Sequence, residues 1–316
     1  MSAHPDTSTV TRPLFVIGTG RCGLSPVMDL LTAHEDLAWP SQYNRRFPDR
    51  PAVSMLSRLT DHRPFASRRL GWKLPVHDEA YPFWQSMFNG FAEPDRDLYA
   101  SDVTPFVADR MRCGVADIVR YQRKRRFTAE YSGWSRIGFM QEVFPDAQFV
   151  HVIRDGRAVV NSFLHVGWWR GYEGVHRWQF GLPTAEEQEL LALHGDSFVA
   201  RAGIHWRRLV RSIVAASAAL DQKTYRVVRY EDLVADPVGI TLDTLTWAGL
   251  PTDRPQLEQR LDAVPIFDAN TSTFRIPSWR ENLSPDQIAV LDDMLGDDLR
   301  RFGYHSLEWP VRAEAS

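Results

Sequence analysis

Leu14-Phe15-Val16-Ile17-Gly18-Thr19-Gly20-Arg21-Cys22-Gly23-Leu24-Ser25 is the stretch on which the reading of this chain turns. Leu14 to Ile17 is a short apolar run closed by glycines, which reads as a buried strand entering a tight turn. A helix is expected to follow, with Ser25 as N-cap, Pro26 preset for the first helical turn and Val27, Met28, Leu30 and Leu31 as its apolar face. Gly18 to Ser25 has the glycine spacing and terminal hydroxyl of a phosphate-binding P-loop, but leucine stands at position 24, where nucleoside-triphosphatases carry lysine. Such a turn presents backbone N–H groups and the positive helix end to an anion, and Ser25 adds a hydroxyl. Arg21 restores one cation from within the loop. Glycines also serve a turn that only has to reverse the chain, and Cys22 reads as a small loop residue.

The pattern returns at Gln148 to Ile153, followed by Arg154-Asp155-Gly156-Arg157 and the helix-like Ala158 to Leu164. A third copy runs from the strand-like Tyr225 to Arg229 into the helix-like Val238 to Trp247. Strands alternating with helices predict an α/β fold, three-layered, with a central parallel sheet and ligand sites at the carboxyl ends of its strands. Pro105 to Arg126 and Ser197 to Leu220 have helical patterning. Ser284-Pro285-Asp286-Gln287 opens a helix to Arg301 with a capping box. Trp168 to Leu193, with its tryptophans, reads as an insertion or lid. One domain is expected over 13–309, between a disordered leader, 1–12, and a tail, 310–316.

With 44% hydrophobic and 24% charged residues among 316, the chain buries a full core. A net charge of -3 with scattered basic residues lacks the single-signed field of a nucleic-acid or anionic-membrane binder. Phosphate recognition must then be local. Arg123-Lys124-Arg125-Arg126 closes a predicted helix, where cations suit the dipole. Two cysteines, Cys22 and Cys113, fit neither a zinc site nor a disulfide scaffold. No signal peptide and no long apolar run is seen, so a cytoplasmic protein without membrane insertion is expected.

In the second copy, Arg154 ends a strand and Ser162 lies two turns into the next helix. A two-pronged guanidinium and a hydroxyl suit a phosphate monoester. In these two loops the chain resembles the sulfotransferase family that uses 3′-phosphoadenosine 5′-phosphosulfate (PAPS), its bacterial branch above all. Phe144-Pro145-Asp146-Ala147-Gln148, Arg229-Tyr230-Glu231-Asp232-Leu233 and Trp279-Arg280-Glu281-Asn282-Leu283-Ser284 extend the likeness from about Pro13 to Tyr304. The resemblance implies that Gly20, Arg21, Cys22, Gly23, Leu24 and Ser25 hold the 5′-phosphosulfate, and that Arg154 and Ser162 hold the 3′-phosphate. It further implies that Tyr230 lies near the adenosine and that Trp279-Arg280 belongs to a loop over the donor. Three departures stand out: Leu24 where the family has a hydroxyl residue, Pro26 after Ser25, and Arg275-Ile276-Pro277 in place of a glycine-rich segment.

Sulfuryl transfer needs in-line attack by a small acceptor's hydroxyl or amine, charge stabilisation on the leaving phosphate and a base. Arg21 is expected to stabilise that charge, and no metal is expected, because a sulfuryl group carries less charge than a terminal phosphoryl. For the base, the cluster Gly71-Trp72-Lys73-Leu74-Pro75-Val76-His77-Asp78-Glu79 offers His77 and Glu79, which could equally form a solvated turn. Asp102 is a rival, or a helix cap, and His34 reads as a surface residue. Two other readings stay open: a P-loop kinase or nucleotidase with Asp155 on magnesium, and a non-catalytic nucleotide-binding protein. The missing lysine argues against the first.

Overall fold

A computed structural model describes residues 10–60, 74–92, 95–174, 180–253, 256–264 and 278–304. From the N-terminus come β1 (Leu14–Gly18), α1 (Leu24–Leu31), β2 (Leu37–Ala38), α2 (Gln42–Arg46) and a 3₁₀ stretch, Pro51–Thr60. Next are α3 (Tyr81–Met87), α4 (Pro105–Gln122), β3 (Arg126–Ser132), α5 (Ile137–Val143) and β4 (Gln148–Ile153). Then follow α6 (Gly156–Leu164), α7 (Ala185–Leu193), α8 (Phe198–Ser217), β5 (Tyr225–Arg229), α9 (Tyr230–Ala235) and α10 (Pro237–Ala248). The last three helices are α11 (Leu257–Asp262), α12 (Ser278–Asn282) and α13 (Pro285–Arg301).

The chain forms two compact units, one of Met1–Arg154, Gln179–Gly181 and Ser212–Phe274, the other of Asp155–Trp178, Leu182–Arg211 and Arg275–Ser316. The whole sheet lies in the first, with strand order β2-β3-β1-β4-β5 and every pair parallel. This is the expected α/β fold. Gly18 of β1 stands opposite Ser132 of β3, and Ile17 stands opposite His151 of β4. β2 and β3 lie on one side of β1, and β4 and β5 lie on the other. The order therefore reverses between β1 and β4, and a crevice at such a reversal, beyond the carboxyl ends of the strands, is where ligands bind in open α/β sheets.

β3 escapes the sequence reading for a definable reason. Phe127, Ala129 and Tyr131 face the main core with Phe15, Ile17 and Phe149, among residues of α3, α4 and α5. Thr128 and Glu130 alternate with them and are also buried, Thr128 reaching Met28 of α1 at 3.9 Å. A strand buried on both faces usually reads as one apolar run, and here polar residues interrupt it.

Other boundaries shift as well. The helix expected to Arg126 stops at Gln122, because Arg123 takes a left-handed φ of 57°. Arg126 is no solvated helix end. It is buried in β3 and donates to the carbonyls of Arg12 and Ala248 and to Gln148. His34, expected at the surface, is 1% exposed, its Nε2 2.9 Å from the Pro251 carbonyl and its Nδ1 accepting from the Asp36 amide. Ser25 does not cap α1. Gly23, at φ 104°, is its N-cap, so Leu24 opens the helix and Ser25 and Pro26 fall within its first turn. The capping box at Ser284 and Gln287 is present as expected. A second box, Thr184 with Glu187, opens α7 inside the segment read as an insertion. In the second unit α8 packs on α13, and a Cβ on Gly203 would meet Leu291 at 3.2 Å.

Phe15 lies at the middle of the first unit, with the rings of Phe127, Tyr131, Phe144 and Phe149 at 5.8–6.2 Å. Phe15→Ala should lower stability by about 3–5 kcal/mol through lost burial and a cavity. Phe106→Ala, at a residue 68% exposed, should stay within about 0.5 kcal/mol of the parent. Urea unfolding followed by circular dichroism measures both.

Candidate active site

The loop after β1 has three residues in the left-handed region: Gly20 (φ 77°), Arg21 (φ 55°) and Gly23 (φ 104°). Gly23 is required twice over. Besides its φ, a Cβ there would stand 2.3 Å from Cδ2 of Tyr230, so the tyrosine ring lies directly on the glycine. Tyr230 in turn supports Arg154, whose guanidinium carbon sits 4.5 Å from the ring centroid, a cation–π stack. Arg154 also donates to the Arg21 carbonyl at 3.2 Å. The last residue before the second unit is thus tied directly to the first loop.

Arg154 is 7% exposed and has no acidic partner among the described residues. Its Nε and the Tyr230 hydroxyl are buried with no hydrogen-bond partner there. Leaving such groups unsatisfied is costly, so the pair is suited to receive a ligand's oxygens. Burial, and then the Arg154 charge, lower the pKa of Arg21. Two guanidinium groups in one small space favour an anion between them.

The remaining loop residues divide into packing and display. Cys22 is fully buried, and burial lifts its thiol to about 11. It is the small loop residue expected and is far from a reactive thiolate. The Leu24 side chain is buried too, 3.4 Å from where a Cβ on Gly18 would lie. Only the backbone of Leu24 is left for an anion. Ser25 is exposed in the first turn of α1, where helix amides lack intrahelical partners.

A cluster of acids stands beside this loop. Ser132 at the end of β3 lies against Gly20, 3.5 Å from a Cβ there, and its side chain hydrogen-bonds the carboxylate of Glu79. Burial, followed by the charge of Glu130, raises Glu79 to about 7 against the opposing effects of Ser132, Arg136 and Tyr81. Glu79 keeps partial exposure. The base candidate and the phosphate loop are therefore joined through one serine.

His77 takes a different position. Its Nδ1 lies 2.6 Å from Glu130 Oε1 and its Nε2 3.0 Å from Asp29 Oδ1 of α1. Burial alone would lower its pKa, but the Glu130 charge and the hydrogen bonds to Asp29 and Glu130 outweigh it and lift His77 to about 10. His77 is a clamped cation and not a free base. Asp102 is also removed from the role: it takes a two-pronged contact from Arg96 at 2.6 and 2.8 Å, and this hydrogen bonding lowers its pKa. Thr104, and not Asp102, caps α4. Gly71, Trp72 and Lys73 lie outside the described residues, as do Arg275-Ile276-Pro277.

Sequence reasoning missed Asp29, Glu130, Ser132 and Arg136, which order this cluster. Arg136, buried at 3%, donates to the carbonyls of Phe91, Ser132 and Trp134. The Tyr81 hydroxyl donates to the Ser132 carbonyl at 2.7 Å. Asp97 accepts from the Arg136 amide, Ser135 and Ser212 at 2.6–3.0 Å. The alternation Thr128, Glu130, Ser132 was the signal available for two of them.

The second unit holds Ser162 in α6 and Arg280 in α12, a short helix where a loop was expected. Asp155, the magnesium ligand of the kinase reading, caps α6 by accepting from the Arg157 amide and pairs with the Arg157 side chain. Trp169 is buried and donates to His205 at 2.9 Å.

A glycine turn between the first strand and the first helix, at the reversal of a parallel sheet and beside an arginine with no acidic partner among the described residues, is suited to an anionic ligand. The chain belongs to the sulfotransferase family: the family model described as "Sulfotransferase family" matches residues 13–254. Omega-hydroxy-beta-dihydromenaquinone-9 sulfotransferase Stf3 of Mycobacterium bovis is 23% identical to it over 95% of this chain and 77% of the relative. The fold is shared with sulfotransferase STF9 of Mycobacterium avium (TM-score 0.62, 16% identity, 96% of this chain and 80% of that one). It is also shared with STF1 of Mycobacterium tuberculosis (TM-score 0.50, 18% identity, 92% and 77%). The resemblance to the bacterial branch holds, and no helix among the described residues is long and apolar enough to cross a membrane.

The His77 clamp predicts a pH dependence of stability. Between the unfolded pKa of about 6.5 and the folded value of about 10, the folded chain binds the extra proton. Stability from the clamp is then full below pH 6.5 and lost as pH rises through 10. His77→Gln should be less stable than the parent at pH 6, and the difference should fade toward pH 10 in thermal melts across that range.

Proposed function

We propose that this sulfotransferase takes its sulfuryl group from PAPS and delivers it to a hydroxyl or amine of a small acceptor, with Glu79 as general base. The observation that carries the donor assignment is Arg154: buried, without an acidic partner among the described residues, and stacked on a tyrosine that covers the phosphate loop. A 3′-phosphate satisfies Arg154, and Ser162 adds a hydroxyl on the helix that follows. A triphosphate would instead call for the lysine that Leu24 replaces. The name of the Mycobacterium bovis relative carries a hydroxylated acceptor, and we carry over the hydroxyl and not the remainder. The cysteine count supports a cytoplasmic setting.

In the reaction the acceptor oxygen or nitrogen bonds to sulfur as the bond from sulfur to the bridging phosphate oxygen breaks. Charge builds on the departing phosphate, where the loop amides of residues 20–25, apart from the N–H that Pro26 lacks next in line, and the Arg21 guanidinium stabilise it. Arg154 and Ser162 act on the remote end of the nucleotide and hold it in line. Glu79, tuned to about 7, accepts the acceptor's proton in its ionised form. His77 keeps Glu130 neutralised behind it. No step in this scheme calls on a metal.

Arg154→Ala should weaken 3′-phosphoadenosine 5′-phosphate (PAP) roughly ten- to a hundred-fold, a charged hydrogen bond of about 1.5–3 kcal/mol. It should also abolish the parent's preference for PAP over ADP in titration calorimetry. A folded Arg154→Ala protein with unchanged PAP affinity would overturn the donor assignment.

The base assignment is read from rates. With an acceptor found by a mass-spectrometric screen for gain of one SO₃, kcat should rise with an apparent pKa near 7, the value for Glu79. Glu79→Gln should lose that limb and drop kcat by about 10²–10⁴ while PAP affinity holds. Persistence of the limb in Glu79→Gln would assign the base elsewhere.

A further inference from the structure

We propose that Arg157 is a positioning residue that locks α12 in place and so fixes the guanidinium of Arg280, the residue of this unit that the family resemblance assigns to the donor. The inference rests on the reading of Arg280 as a donor-binding residue. It concerns a residue that the reaction scheme does not use, and the contacts to Asp155, Asp292 and Trp279 on which it is argued lie within the second unit.

Arg157 is the second residue of α6, and its side chain is only 2% exposed. A charge so buried is retained only where it is well paired. Its Nε and Nη2 grip the Asp155 carboxylate at 3.0 and 2.8 Å, and Nη1 reaches Asp292 Oδ1 of α13 at 2.9 Å. Against the cost of burial, these two acids hold its pKa above the ordinary arginine value. The guanidinium is therefore fixed in its plane by α6 at one side and α13 at the other.

The face of that plane is used too. Arg157 lies over Trp279 with its guanidinium carbon 4.5 Å from the ring centroid, and Arg280 lies 5.0 Å from the same centroid. Trp279 is 4% exposed, so α12 is anchored through this one side chain. Arg280 makes no ion pair among the described residues, and its Nε is buried without a hydrogen-bond partner there. The arrangement thus separates two arginines on one indole, one held by two carboxylates and the other with its buried Nε unpartnered among the described residues. Saturation of Arg157 is what makes it a strut, and the lack of an acid beside Arg280 is what leaves that cation for a phosphate. Lysine at 157 would keep the charge but could neither fork onto Asp155 nor stack flat on Trp279.

The test is a double-mutant cycle read by PAP affinity in titration calorimetry, since coupled residues depart from additivity. Arg280→Ala should weaken PAP about tenfold. Arg157→Lys should weaken it several-fold in the parent and have no further effect in the Arg280→Ala background. Asp292→Asn, at a residue whose side chain is 31% exposed, removes one arm of the strut at less risk to folding and should reproduce the pattern more weakly. In each single variant kcat at saturating PAPS should change less than the KM for PAPS. If Arg280→Ala leaves PAP affinity unchanged, the reading of Arg280 as a donor-binding residue fails. If Arg280→Ala weakens PAP while Arg157→Lys and Asp292→Asn do not, or if their losses persist undiminished without Arg280, that reading stands and the positioning role of Arg157 is overturned.

Discussion

Tyr230 can lie on Gly23 only because residue 23 has no side chain, and much of the candidate site depends on that contact. The ring closes one side of the loop after β1 and gives Arg154 a surface on which to stack. Arg154 then holds the Arg21 carbonyl. Without the stack, a buried arginine beside Arg21, with no carboxylate partner among the described residues, would be driven toward solvent by desolvation and by repulsion from Arg21. Three strands contribute to one point: β1 leads into the loop, β4 leads into Arg154, and β5 runs directly into Tyr230. These elements meet at the reversal of strand order, so the topology and the stack explain each other.

A second constraint follows from placing acids next to an anion-binding loop. Asp29, Glu79 and Glu130 would repel the donor if all were ionised and unpaired. The chain distributes them differently. His77 lies between Asp29 and Glu130 as a cation, and Arg136 lends its charge to the side of Glu79 and Tyr81. Burial and then the Glu130 charge raise the remaining carboxyl, Glu79, to about 7, so near neutrality it opposes an anion less than an ordinary carboxylate would. In the proposed reaction, the same electrostatics that suit Glu79 to take a proton also lessen its repulsion of the donor.

The parts of this arrangement that were legible in the sequence are those written in short, local patterns. β1, β4 and β5 are β-rich runs ending at glycine or arginine, and α13 announces itself through Ser284 and Gln287. The loop and Arg154 stood out through glycine spacing, the strand-to-helix context and the family resemblance together. β3 was not legible, since Glu130 and Thr128 are buried polar residues whose partners lie far along the chain, at His77 and Met28. For the same reason, the sequence could name His77 and Glu79 together but not separate them. The distinction between a clamped cation and a tunable acid is set by Glu130, 53 residues away from His77. The start of α1 was misplaced by two residues because Ser25 and Pro26 have ideal capping chemistry, and the demand for positive φ at Gly23 overrode it.

That displacement bears on the departures at Leu24 and Pro26. With Gly23 as the cap, Pro26 falls at the third helical position, where no intrahelical bond to its amide is lost and the ring meets no preceding helical carbonyl. Leu24 opens the helix with its side chain buried and packed toward Gly18. A hydroxyl at 24 would then be buried beside β1, so its absence removes little from the anion site. The loss that does count is the missing Pro26 N–H, one donor fewer in the first turn. Arg21 and Arg154 bring two guanidinium charges to this loop, where burial and then the Arg154 charge lower the pKa of Arg21, an arrangement that an anion beside them would relieve.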